Sequence, residues 1–100
     1  MLLFEWDSAK AATNRKKHGV TFEEAATVFF DVHGFDLPDV KHSSRSERRA
    51  IRIGMSISTR ILMSVYTERI GHHGEETIRI ISARRANAKE RGFYSGHVRF

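Results

Sequence analysis

The sequence of 100 residues contains no cysteine and a single proline. Without cysteine the chain forms no disulfide, and it has neither a thiol nucleophile nor a thiolate metal site. No apolar run approaches the roughly 20 residues that a membrane-spanning helix requires. The apolar start ends at Glu5, which is too early for a signal peptide. We therefore expect one domain over residues 1–100 that is cytoplasmic and makes no membrane contact.

The common motifs of nucleotide and hydrolytic chemistry are also missing. The sequence has no phosphate-binding P-loop, no GxGxxG segment, no GxSxG elbow and no HExxH helix. Nucleotide hydrolysis and serine-hydrolase chemistry therefore have no support. The six histidines show no spacing typical of metal ligands, so we predict no metal and no cofactor.

Charge is abundant and unevenly distributed along the chain. The formal net charge is +5, yet residues 1–40 hold seven acidic and four basic side chains. Residues 41–100 hold thirteen basic and five acidic side chains. A polyanionic partner such as nucleic acid is therefore expected at the C-terminal part of the chain.

Capping residues and hydrophobic periodicity predict an α+β fold. Gly19 should end a first helix over residues 8–18, and Thr21 should begin a second that ends near residues 30–31. From Arg49 apolar residues alternate with polar ones, which predicts an antiparallel sheet of three strands, or four with a short edge strand at residues 34–37. A last helix should run from about Ala88 to before Gly96, and all helices should lie against one face of the sheet.

The stretch from the last predicted strand into the last helix carries the strongest chemical signal. One acid, Glu90, stands among six basic residues: Arg79, Arg84, Arg85, Lys89, Arg91 and Arg99. Arginine binds phosphate oxygens through its planar fork and does not titrate, so it can stabilise the charge that develops when RNA is cleaved. Arg79, Arg84, Arg85 and Tyr94 could meet at the edge between strand and helix. A merely solvated cationic face would show the same composition.

Two long motifs resemble those of the BrnT family of toxins. The segment from Phe4 to Asp31 contains F-x-W-D, then a spaced lysine and asparagine, KHG-V-x-FEEA and V-F-x-D. The second motif, RIISARRA, is followed by a helix with Glu90, Arg91 and Tyr94. The two motifs occur in the family's order and together span nearly the whole chain.

This resemblance implies a ribonuclease toxin of a type II toxin–antitoxin pair with a RelE-like fold. It implies RNA cleavage without a metal, and thereby inhibition of translation. It also implies an antitoxin with a ribbon–helix–helix domain, a heterotetramer, and contact with operator DNA only through that antitoxin. The alternative is a non-catalytic basic module that binds nucleic acid or an acidic protein.

We expect cleavage by attack of the 2′-OH on the adjacent phosphate. Arg84 and Arg85 would stabilise the phosphorane, whereas Tyr94, His18 and Lys17 are candidates for proton transfer. Many relatives have histidine where this chain has Tyr66. If that histidine takes part in proton transfer, either Tyr66 or His18 replaces it here, or this chain is a weaker enzyme. The residues expected to bind the substrate backbone are all basic: Arg79, Lys89, Arg91 and Arg52.

Overall fold

The chain folds into a mixed α+β structure, seen in a computed structural model that describes residues 2–97 and the side chains of residues 2–96. Arg99, counted above with the basic stretch, lies outside the described residues. The elements in chain order are β1 (Leu2–Glu5), α1 (Ser8–His18), α2 (Phe22–Thr27), a 3-10 turn (Val28–Phe30), β2 (Phe35–Pro38), a second 3-10 turn (Val40–His42), β3 (Arg49–Met55), β4 (Ile61–Ile70), β5 (Glu76–Arg85) and α3 (Ala88–His97).

Within the described range the strands form one five-stranded sheet in the order β1-β5-β4-β3-β2. Strand β1 pairs in parallel with β5, and the other neighbours are antiparallel. The predicted count of three to four strands is therefore wrong, because β1 was not recognised. Its four residues are too few to establish a period, and its partner lies more than seventy residues away in the sequence.

Local capping sets the ends of the helices. The Asp7 side chain accepts a hydrogen bond from the Lys10 N–H at 3.0 Å, and Gly19 ends α1 in the left-handed conformation with φ 68°. Helix α2 ends at Thr27, earlier than predicted, and the 3-10 turn continues from it. Helix α3 continues through Gly96 to His97, beyond its predicted end.

Apolar side chains pack on both faces of the sheet. The larger cluster joins α1 and α2 to one face through residues such as Phe22, Val28, Leu62 and Ile80. On the other face Tyr94 of α3 packs on a smaller cluster of Ile53, Met63 and Val65. Successive residues of a strand point to opposite faces, so α3 lies opposite α1 and α2. The expectation that all helices cover one face is therefore wrong. We call the face that α3 partly covers the open face.

A β-bulge interrupts the pairing of β5 with β4. Val65 pairs with Ser82 and Tyr66 pairs with Ile80, which leaves Ile81 as the extra residue of β5. The extra residue shifts the alternation of the strand by one position. Ile78, Ile80 and Ala83 consequently all contribute to the larger core cluster.

Asn14 connects α1 to β5 beyond the end of β1. Its side-chain amide donates to the Ala83 carbonyl at 2.8 Å and accepts from the Ala83 N–H at 3.1 Å. The same amide group donates to the Val20 carbonyl at 3.1 Å. Strand β1 pairs only with the first four residues of β5, so Asn14 replaces a neighbouring strand where β1 has ended.

Replacing Asn14 by alanine should therefore destabilise the fold by about 3 kcal/mol. The substitution leaves three buried backbone groups without a hydrogen-bond partner, namely the Val20 carbonyl and the carbonyl and N–H of Ala83. Urea denaturation should show this loss, whereas Thr13→Ala, an exposed neighbour on α1, should change the free energy of unfolding by less than about 0.5 kcal/mol. An Asn14→Ala protein as stable as the Thr13→Ala control would contradict the role of Asn14.

Candidate active site

Arg84 and Arg85 lie on opposite faces of the sheet. Arg84 faces α3, where its two terminal nitrogens donate to the Glu90 carboxylate at 2.8 and 2.9 Å. Arg85 is exposed on the other side of the sheet. The pKa of Glu24 there is lowered mainly by hydrogen bonds from Arg60 and Ser56, and the charge of Arg85 adds a smaller contribution. The expectation that both arginines stabilise one phosphate is therefore incompatible with the pleat of β5.

Glu90 holds the guanidinium of Arg84 in a fixed orientation. Its carboxylate also accepts from the Asn87 N–H at 2.9 Å, and the Asn87 side chain accepts from the Glu90 N–H at 2.8 Å. Burial raises the pKa of Glu90, but the hydrogen bonds from Arg84 and Asn87 outweigh it and the pKa is lowered. Hydrogen bonds to Glu90 and to the Arg85 carbonyl occupy three of the five Arg84 N–H donors. Among residues 2–96 no hydrogen bond uses the two other donors, which leaves them for an anion.

The bulge places Arg79 and Arg84 on the same, open face. They are five positions apart, so regular alternation would point them in opposite directions. The extra residue Ile81 restores a common direction and brings Ser82 onto that face as well. Their partners Thr67 and Met63 are four residues apart on β4, so the two arginines are about 13 Å apart along the sheet. Arg79 is half-buried, with its guanidinium 3.8 Å from the Glu5 carboxylate.

A groove of about 340 Å³ separates α1 from the bulge of β5. Lys10, Lys17 and His18 line it from the helix, and Ile81 and Ser82 line it from the strand. Lys10 and Lys17 are seven residues apart, which places both on the same side of α1. The structure thus brings the predicted residues Lys17 and His18 to the same part of β5 as Ser82.

Lys10 and Ser82 were not singled out in the sequence. The seven-residue spacing of Lys10 from Lys17 could have identified the lysine, since two helical turns bring such residues together. Nothing local could have identified Ser82, because its direction depends on the bulge. The Asp7 pKa is lowered by the Lys10 N–H hydrogen bond and, among smaller causes, by the charges of Lys10 and Arg79. These two cations therefore act on the same region of the surface.

Tyr94 and Tyr66 are both buried and hydrogen-bonded to aspartates. The Tyr94 hydroxyl donates to Asp31 at 2.7 Å, and burial together with this bond raises the Tyr94 pKa to about 12. The Tyr66 hydroxyl donates to Asp36 at 2.6 Å on the face covered by α2, where burial raises its pKa strongly. Among the described residues neither tyrosine hydroxyl has a hydrogen bond to an arginine, and the Tyr94 hydroxyl is directed to Asp31 instead of to Arg79, Arg84 or Arg85. Both are poorly placed for proton transfer.

The remaining predicted substrate-binding residues are dispersed. Arg52 lies on the helix-covered face, where it donates to the carbonyls of Val28 and Asp31 and to the Asp36 carboxylate. This arginine fastens the 3-10 turn to the sheet, and its side chain is only 13% exposed, compared with 33% for Arg84. In α3, Arg91 donates to the Ala86 carbonyl at 2.7 Å. The Lys89 ammonium lies 5.9 Å from the centre of the Phe93 ring.

In the part of the chain that the structure describes, no group of three or more His, Cys, Asp or Glu side chains could hold a metal ion. No helix formed by these residues is long and apolar enough to cross a membrane.

The mixed fold, together with the cationic groups along β5, is compatible with a small ribonuclease toxin. A sequence model of the family described as "Ribonuclease toxin, BrnT, of type II toxin-antitoxin system" matches residues 6–90. The chain therefore belongs to the BrnT family of ribonuclease toxins, and membership implies an antitoxin partner.

The fold is also similar to a solved structure of that family. The crystal structure of the Brucella abortus ribonuclease toxin BrnT superposes with a TM-score of 0.60 at 24% sequence identity. The match covers 87% of this chain and 97% of the Brucella chain. No curated protein matches this sequence significantly.

Replacing Glu90 by glutamine should reduce stability in a pH-dependent way. Folding lowers the pKa of the Glu90 carboxyl below its usual value of 4.5. The ionised carboxylate therefore stabilises the fold at pH values above 4.5, and this contribution is lost as the pH falls through the folded-state pKa. We expect Glu90→Gln to lower the free energy of unfolding by about 2 kcal/mol at neutral pH. The difference should shrink as the pH falls below 4.5 and through the lowered folded-state pKa. Urea denaturation at neutral pH and at a series of pH values below 4.5 tests this, and a deficit that is constant with pH would contradict the charged pair.

Proposed function

We propose that this chain is a metal-independent endoribonuclease whose active site lies on the open face beside β5. The observation that carries this proposal is the bulge at Ile81, which aligns Arg79, Ser82 and Arg84 on the face that Lys17 and His18 also border. The fold supplies phosphate-binding cations together with an imidazole that can transfer protons. Family membership supports RNA as the substrate.

The proposed reaction is a transesterification within the RNA strand. The 2′-oxygen forms a bond to the adjacent phosphorus, and the bond from phosphorus to the 5′-oxygen breaks. A base takes the proton of the 2′-OH, and an acid gives a proton to the departing 5′-oxygen. The products are a 2′,3′-cyclic phosphate and a free 5′-hydroxyl, so the step consumes no water or oxidant.

Arg84 is the residue best placed to stabilise the phosphorane. Glu90 fixes its plane, and two N–H donors remain for the phosphate oxygens. A preorganised donor costs no rearrangement during the reaction and therefore contributes strongly to catalysis. Arg79, about 13 Å away along the sheet, would hold a phosphate further along the RNA strand.

His18 is the first candidate for proton transfer, and Lys17 is the second. The His18 side chain is half-buried at the end of α1 and lines the groove opposite Ser82. An imidazole can serve as base or acid in proton transfer. Arg85, Arg52, Tyr66 and Tyr94 have no part in this proposal because of the positions described above.

In the cell, we propose that the cleaved RNA halts translation and that an antitoxin with a ribbon–helix–helix domain neutralises the toxin. The pair would form a heterotetramer that contacts operator DNA through the antitoxin alone. A RelE-like arrangement, in which RNA lies on the sheet face opposite α1 and α2, is part of the same proposal. A binding module without turnover is the competing outcome.

Arg84→Ala and Arg85→Ala form a matched pair that tests this site. Purified protein in excess EDTA should cleave RNA, and Arg84→Ala should lower kcat/KM by about 100-fold because one oxyanion donor is lost. Arg85→Ala removes the same charge from the other face and should change kcat/KM by less than about threefold. The products should carry cyclic phosphate ends. Equal losses in both variants would refute the assignment, and intact RNA with a salt-sensitive gel shift would favour binding alone.

A further inference from the structure

A second basic groove lies at the end of the sheet where β3 begins. Arg49, Thr67 and Arg69 line it from the open face, and Ala50, Tyr66 and Glu68 line it from the helix-covered face. The segment between β2 and β3 folds back over the ends of β3 and β4 and encloses about 760 Å³. Pro38 and Val40 form part of its wall. The charged residues that line it are four arginines and two glutamates: Arg45, Arg48, Arg49, Arg69, Glu47 and Glu68.

Hydrogen bonds hold this segment in place against the sheet. The Ser43 hydroxyl donates to the Asp39 carbonyl at 2.7 Å and accepts from the Arg49 N–H at 2.9 Å. The Thr67 hydroxyl donates to the Arg48 carbonyl at 2.8 Å. The wall of the groove is therefore formed before any ligand arrives, which limits the entropy that binding would cost.

Two of the four arginines carry charge that the fold does not compensate. Arg49 pairs with Glu47 at 2.7 Å, and Arg69 pairs with Glu5 at 3.1 Å. Arg45 and Arg48 are exposed, and among residues 2–96 their side chains have neither a hydrogen bond nor an ion pair. A preformed groove with two unpaired guanidinium groups favours an anionic ligand.

The second groove is continuous with the proposed active site. Arg49 follows the alternation of Ile51 and Ile53, so it belongs to the open face. The pKa of Glu47 is lowered by the hydrogen bond from Arg49 and also by the charges of Lys10 and Arg69. Thr67 pairs with Arg49 on one side and with Arg79 on the other, so the second groove adjoins Arg79 of the proposed active site.

We propose that this second groove binds the phosphates of the single-stranded RNA that flanks the cleaved bond. The inference rests on the proposed ribonuclease function and extends its substrate from one phosphate to a strand. Arg84 pairs with Met63 and Arg49 pairs with Thr67, four residues further along β4, so the groove begins about 13 Å away. An RNA strand crossing the open face would reach it after a few nucleotides.

The double variant Arg45→Ala/Arg48→Ala tests the groove without removing a contact of the fold. Its binding to an RNA of about 12 nucleotides, with deoxyribose at the cleavage site, is measured over a range of salt concentrations. We expect the dissociation constant to rise about tenfold and the slope of log K against log salt to fall by about 1.4 for two lost phosphate contacts. Cleavage of a dinucleotide should keep its kcat/KM, because so short a substrate does not reach the groove.

The matched control is Arg15→Ala/Lys41→Ala, which removes two exposed cations that line neither groove. It should leave the salt slope unchanged. An unchanged slope in the arginine variant would overturn the inference, as would weaker antitoxin binding with normal RNA binding. Equal losses on the dinucleotide and the long RNA would also overturn it. If the wild type binds RNA through these arginines but cleaves none, the proposed function fails while the binding groove stands.

Discussion

The hydrogen bonds between the Asn14 amide and the backbone of Ala83 are the interaction on which the arrangement of this molecule depends. They satisfy the backbone hydrogen-bonding groups at the edge of β5 beyond the end of β1. They also fix the position of α1 along β5. Lys10, Lys17 and His18 are consequently held against the bulge instead of lying free on a surface helix. An amide side chain can do this because it offers the same donor and acceptor as a peptide group.

The bulge at Ile81 is the second constraint, and it determines which charges act together. Without it, Arg79 would lie on the face opposite Arg84, and the cationic character of β5 would be divided between the two faces. With it, the open face acquires Arg79, Ser82 and Arg84, and Arg85 is turned towards Glu24 on the other side. Bulges recur next to active sites because they redirect side chains without breaking the sheet.

Much of the fold could be predicted from the sequence, because it is encoded in short-range patterns. Gly19 and the charged last turn mark the end of α1, and the alternation from Arg49 onward marks β3. Strand β1 could not be predicted, since its pairing with β5 is non-local and it is short. The burial of Tyr94 against Asp31 likewise depends on α3 crossing the open face, which no local pattern specifies.

The candidate site was predictable only in part, for the same reason. Opposite orientations of Arg84 and Arg85 follow directly from the pleat and could have been inferred from their adjacency. That Arg79 and Arg84 share one face follows from the bulge, and this could not have been inferred from the sequence. Arg52 alternates with apolar residues like any surface arginine, yet its hydrogen bonds to Val28 and Asp31 make it part of the fold.

The most direct test of the central claim is an NMR titration that follows the arginine Nε–H signals while an RNA with deoxyribose at the cleavage site is added. If the open face beside β5 binds the substrate, the signals of Arg79 and Arg84 shift and saturate together, whereas those of Arg85 and Arg60 stay in place. Shifts confined to Arg85 and Arg60, on the other side of the sheet, would contradict the account.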